Sequence, residues 1–187
     1  MNSKNEKKSA QTRQCLITAF CLIYQEKSFE KISVQSVAKK AGFDRTTFYQ
    51  YFLDLDDLLN QLEGELLDYI TNKRPAITEE NNQYYFMNAL VDLYQARATE
   101  VNALLGPHGR SHFIVTLKNK LDFDLFHLDK EKKNQYQPYL IEFRLFGALD
   151  LFSLWLERNQ DLTVAELVEM VIKLFQTNPG LKELTDQ

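Results

Sequence analysis

The chain has 187 residues, of which 44% are hydrophobic and 26% charged, and a formal net charge of −4. This is a globular composition with enough length to bury a core. No uninterrupted apolar run approaches the roughly 20 residues of a membrane-spanning helix, and the polar start MNSKNEKKSAQTRQ has no apolar segment behind it as a secretory signal would. The expectation is a cytoplasmic protein with no membrane attachment.

The net charge hides an asymmetry. Residues 1–50 hold nine Lys and Arg against four acids, a balance of +5, which leaves −9 for the remainder. A basic head on an acidic body suits a protein that presents one end to a polyanion, although a solvated Lys-rich tail has the same composition. The two cysteines, Cys15 and Cys21, fall on different sides of one helical segment, and no His or Cys stands at metal-ligand spacing near them. Free thiols are expected rather than a disulfide or a zinc site.

Periodicity along the chain is helical throughout, and an all-α fold of about nine helices is expected. The predicted spans are 9–26, 33–40, 44–50, 54–73, 82–95, 97–105, 110–127, 138–158 and 163–177. Leu16, Ala19, Phe20 and Ile23 give the first helix a buried face at i, i+3, i+4, i+7 spacing. Val34, Val37, Ala38 and Ala41 repeat the pattern, as do Leu58, Leu59, Leu62, Leu66, Tyr69 and Ile70. Gly and Pro are few and most stand between the helices; 75–83 and 129–135 read as polar loops.

The stretch AGFDRTTFYQYF, Ala41 to Phe52, has an unusual wet face. Ser33 caps the preceding helix, Gly42 supplies the backbone freedom of a tight turn, and Asp44 caps the next helix. Phe48 and Phe52, four apart, turn inward, so Arg45, Thr46, Thr47, Tyr49, Gln50 and Tyr51 project outward or onto the rim. This is a helix-turn-helix whose second helix carries hydrogen-bonding groups in place of the usual Glu and Lys. Arg pairs with guanine, Gln with adenine, and Thr and Tyr reach phosphates or a thymine methyl. These six residues and Ser33 are the candidate DNA contacts.

The run FEKISVQSVAKKAGFDRTTFYQYFLDLDDLL, Phe29 to Leu59, resembles the DNA-binding domain of TetR-family transcriptional regulators. The resemblance rests on the Ala-Gly-hydrophobic turn, the Phe-Tyr-x-x-Phe core of the second helix and the Asp-Asp-Leu-Leu opening of the fourth. It implies an all-helical homodimer on a palindromic operator, with a three-helix DNA-binding domain at 1–54 and a helical-bundle regulatory and dimerisation domain at 55–187. The segment LLGPHGRSHFIVTLKNKL, Leu104 to Leu121, resembles part of a small C-terminal domain carried by some TetR-like regulators of Gram-positive bacteria, and reads as architecture. One position departs from the family pattern: Leu55 stands where members usually carry a phosphate-contacting Lys. The backbone amides there remain a candidate phosphate contact, while Asp54, Asp56 and Asp57 read as capping residues.

In the body, YLIEFRLFGALDLFSLWL, Tyr139 to Leu156, is apolar on nearly every side and demands cover all round. Thr163 to Glu166 forms a capping box ahead of a stripe at Leu167, Met170, Val171, Leu174 and Phe175. Two such helices suit either a four-helix dimer interface or a monomeric core. Phe86, Leu90, Phe113, Leu117, Phe143, Phe146 and Trp155 line a cavity for a small hydrophobic effector, or else fill the core. His108 and His112 lack a carboxylate or Cys at ligand spacing, so no metal and no cofactor is expected. No nucleophile motif, Gly-rich phosphate loop or HExxH is present, which argues against an enzyme. The expected function is a TetR-like repressor released by an effector; the alternative is a co-activator or adaptor of the same fold, governed by a protein partner.

Overall fold

No Gly or Pro occurs before Gly42, so nothing in the polar N-terminus stops a helix from starting early. A computed structural model of the protein describes residues 2–72, 82–120 and 135–176, and its first helix, α1, runs Asn2–Tyr24. It begins several residues ahead of the predicted start, because Lys, Glu and Gln propagate a helix even without an apolar stripe. A single 3₁₀ turn at Phe29–Lys31 follows, with the Phe29 ring edge-on to Phe20 and Tyr24.

The next helices are α2 (Val34–Ala41), α3 (Arg45–Tyr49), α4 (Leu55–Asn72), α5 (Asn82–Leu105), α6 (Arg110–Lys120), α7 (Gln137–Glu157) and α8 (Val164–Gln176). Among the described residues there is no strand, in agreement with the all-α expectation. The predicted break near residue 96 corresponds to a kink inside α5, where Arg97 leaves helical geometry (φ −138°, ψ 38°). The predicted loops at 75–83 and 129–135 and the end of the helix at 110–127 lie largely outside the described residues.

The chain divides into two compact units, Met1–Tyr69 with Ala96–Thr116, and Ile70–Gln95 with Leu117–Gln187. The sequence division at residue 54 falls inside the first. In that unit α1 packs on α2 and α2 on α3, over a core that includes Leu16, Phe20, Val37, Phe48, Phe52, Leu58 and Leu62. The Leu104-Leu105-Gly106-Pro107 turn belongs here too. A Cβ on Gly106 would meet the Asn102 carbonyl oxygen at 2.5 Å, and one on Gly109 would meet that of Ala103 at 2.2 Å, so this segment is architecture that only glycine permits.

Polar pairs join α1, α4 and the second half of α5. Arg13 Nη2 reaches Glu65 Oε1 at 2.6 Å and Gln61 Oε1 at 2.8 Å, and Arg97 Nη2 reaches the other oxygen of Glu65 at 3.0 Å. Glu100 accepts from Gln14 Nε2 at 2.9 Å and lies 3.5 Å from Arg97 Nε. Between α4 and α6, the fully buried Glu63 carboxylate accepts from Thr116 Oγ1 at 2.6 Å and pairs with His112 Nδ1 at 2.8 Å. This carboxylate, distant in sequence, is the partner that spacing alone did not offer His112. Among the described residues no three His, Cys, Asp or Glu side chains gather as metal ligands.

In the second unit α7 packs on α8, and α8 starts with the expected reciprocal cap between Thr163 and Glu166. Trp155 is buried against Tyr94 and Phe152, with ring centroids 5.1 Å apart in each case, and its indole donates to the Leu162 carbonyl at 2.8 Å. No helix among the described residues is long and apolar enough to cross a membrane.

Candidate nucleic-acid interface

The turn between α2 and α3 is built from backbone chemistry that its sequence dictates. Ser33 Oγ accepts the Ser36 N–H at 3.2 Å while Ser36 Oγ accepts the Ser33 N–H at 3.1 Å, a reciprocal cap on α2. At the other end Gly42 takes a left-handed conformation (φ 80°) and the Phe43 N–H closes back to the Ala38 carbonyl at 2.9 Å. A side chain would strain that backbone, which is why glycine stands here. Asp44 then accepts the Thr47 N–H at 2.7 Å and the Thr47 hydroxyl at 2.9 Å. These two bonds, the backbone one first, hold the Asp44 carboxyl below its ordinary pKa.

With only five residues, α3 has no stability of its own. It is held by Phe48, fully buried, whose ring lies 5.5 Å from that of Phe52 and 5.6 Å from that of Tyr49. The inward pair was expected from the spacing, and it leaves Arg45, Thr46, Tyr49 and Gln50 exposed on one short helix. Arg45 Nη2 donates to the Tyr49 hydroxyl at 3.3 Å, so the two extend together from successive turns.

The other candidate contacts sit differently. The Ser33 hydroxyl is engaged in its cap, the Thr47 hydroxyl is turned back on Asp44, and the half-buried Tyr51 accepts a hydrogen bond from Ser9 Oγ at 3.3 Å. All three hydroxyls thus have hydrogen-bond partners within the chain.

At the start of α4, Asp54 Oδ1 accepts the Asp57 N–H at 2.8 Å and Asp57 Oδ2 accepts the Leu53 N–H at 2.9 Å. The capping role expected of Asp54 and Asp57 is realised, whereas Asp56 is exposed. Leu55 is half-buried as the first residue of the helix. The amides of Leu53 and Asp57 are therefore occupied by carboxylates. Leu53, which the sequence reading did not single out, is 81% exposed.

The residues suggested for an effector cavity are drawn from both units. Phe113 belongs to the first unit, and Leu90, Leu117, Phe143, Phe146 and Trp155 to the second; the Phe86 side chain lies outside the described residues. Phe143 is 57% exposed, on the surface rather than lining an interior, because α7 carries more apolar side chains than this chain covers. Trp155 is held in the aromatic cluster with Tyr94 and Phe152, and Lys118 Nζ sits 4.4 Å from the Phe146 ring centroid.

No protein-family model matches the chain. Over 140 residues it is 28% identical to the HTH-type dhaKLM operon transcriptional activator DhaS of Lactococcus lactis subsp. lactis, a match covering 71% of this chain and 69% of that protein. Over 48 residues it is 44% identical to an uncharacterized HTH-type transcriptional regulator of Haemophilus influenzae, covering 25% of this chain and 23% of that protein. Among solved structures, a dihydroxyacetone kinase operon activator DhaS superposes with a TM-score of 0.56 at 17% identity, covering 88% of this chain and 93% of the other. The chain therefore shares its all-helical fold with that protein, and its sequence is similar to those of HTH-type transcriptional regulators.

Proposed function

We propose that the protein is a TetR-like transcriptional regulator that binds a palindromic operator as a homodimer, α3 entering the major groove and α2 crossing above it. The observation that carries this reading is the arrangement around Gly42: a glycine-dependent turn, a short helix anchored by Phe48, and Arg45, Thr46, Tyr49 and Gln50 exposed together. Arg45 reads guanine, Gln50 reads adenine, and Thr46 and Tyr49 contact phosphate or a thymine methyl. No comparable cluster among the described residues suggests catalysis, and the reading is of a DNA-binding protein that is not an enzyme.

Dimerisation falls to α7 and α8. Tyr139, Phe143, Leu154 and Leu174 leave apolar surface open on these two helices, and a second copy of the same pair closes it as a four-helix interface. In the primary reading the dimer represses, and an effector binding the body releases it. A second reading, activation together with a partner protein, is favoured by the activator role in the name of the Lactococcus relative.

Fluorescence anisotropy with a labelled random-sequence duplex tests the DNA-binding reading. Affinity should fall steeply between 50 and 200 mM salt, by roughly a thousandfold or more for six or more phosphate contacts. Absence of binding at low salt sinks the reading. A melting temperature raised by small hydrophobic molecules favours the effector, and one raised only by a protein partner favours the second reading.

A further inference from the structure

Granting that the protein binds duplex DNA, its phosphate contacts beside α3 must come from somewhere, and the corner at the start of α4 is poorly suited to supply them. Residues 53–57 contain no cation and three aspartates. Two of those carboxylates already occupy the Leu53 and Asp57 amides. An incoming phosphate would have to displace them and sit among three like charges.

The end of α1 that meets the recognition segment is chemically complementary. Ser9 Oγ touches the Tyr51 hydroxyl at 3.3 Å, and the Arg13 guanidinium lies 5.2 Å from the Phe52 ring centroid, so α1 runs alongside the end of the recognition segment. Arg13 itself is taken by Glu65 and Gln61 and is not available to DNA. Lys7 and Lys8 immediately precede Ser9, at most about 3 Å further along the helix axis. Both are exposed, and neither ammonium forms an ion pair among the described residues. Glu6 is the only acid in the first 25 residues.

We propose that the N-terminal turns of α1, through Lys7 and Lys8, form the phosphate clamp of this protein, gripping the sugar-phosphate backbone next to the bases read by α3 in place of the α4 corner. The long α1 is then functional: residues 5–11 are exposed, and Ser9 beside Tyr51 brings the two lysines that precede it next to the recognition segment.

The test is the salt dependence of binding of the full chain to two probes, a duplex selected from a random pool and a random-sequence duplex. Lys7→Gln with Lys8→Gln should lower the slope of log K against log salt by about 1.8 per lysine removed in a dimer, at roughly 0.9 per phosphate. Affinity for both probes should drop by similar factors, with the circular-dichroism melting curve unchanged. Asp56→Lys, at the exposed corner position, should leave the slope as it was. An unchanged slope in the lysine variant, or a steeper one in Asp56→Lys, overturns the clamp while leaving the regulator reading intact. Failure of the wild type to bind either probe at low salt removes both.

Discussion

The placement of the recognition helix depends on one side chain, and Phe48→Ala tests that dependence. Phe48 is fully buried, and its ring is sandwiched near those of Phe52 and Tyr49. Truncating a buried Phe to Ala costs about 3–5 kcal/mol, part of it from the cavity left behind. Against a typical total of about 5–15 kcal/mol, that is a large fraction of the stability of a domain this size. Phe48→Leu keeps most of the volume and should cost under about 1.5 kcal/mol. Urea denaturation followed by circular dichroism gives both numbers from the shift in midpoint at constant slope. At low temperature, where the Ala variant stays folded, its preference for operator over random duplex should also shrink, since α3 is too short to hold its own geometry. A loss under about 1.5 kcal/mol for Phe48→Ala, or equal losses for Ala and Leu, would refute the view that this ring anchors the helix.

Four further outcomes are expected. Arg45→Ala should cost about 1–3 kcal/mol per half-site and relax preference at one operator position, read by anisotropy on base-substituted duplexes; a uniform loss on all sequences would make Arg45 a phosphate contact. Thr116→Val and His112→Ala should each destabilise the fold by about 1.5–3 kcal/mol in urea denaturation, since each strips a hydrogen bond from the buried Glu63 carboxylate. A thiol reagent should label one cysteine in the native protein and two after denaturation, because Cys15 is exposed while burial pushes the Cys21 thiol far above its ordinary pKa. Leu174→Glu, at an exposed position on α8, should shift sedimentation from dimer to monomer with the melting of the isolated chain little changed; an intact dimer would place the interface elsewhere.

Local chemistry was what the sequence disclosed well. The caps at Ser33, Asp44, Asp54 and Thr163, the turn at Gly42 and the inward pair Phe48 and Phe52 all follow from residues within four positions of one another. Their consequence, a helix-turn-helix with Arg45, Thr46, Tyr49 and Gln50 outward, followed too. What stayed hidden depends on contacts between distant residues. Glu63 meets His112 and Thr116 across 49 and 53 positions, and Gln14 meets Glu100 across 86, so no periodicity announces them. The partners of the Ser33 and Thr47 hydroxyls were not legible either, because composition does not reveal which neighbour a hydroxyl bonds. Phe143 looked buried for a related reason: an apolar residue on an all-round apolar helix does not say whether its own chain or another covers it.

The most direct test of the central claim is selection of bound sequences from a random pool of duplex DNA with the full-length chain at moderate salt. An enriched palindrome is expected whose half-sites lie about 10 base pairs apart, or a multiple of that, with Arg45→Ala relaxing one symmetric pair of positions. A pool that stays random, or enrichment of a single half-site with no symmetric mate, would contradict it.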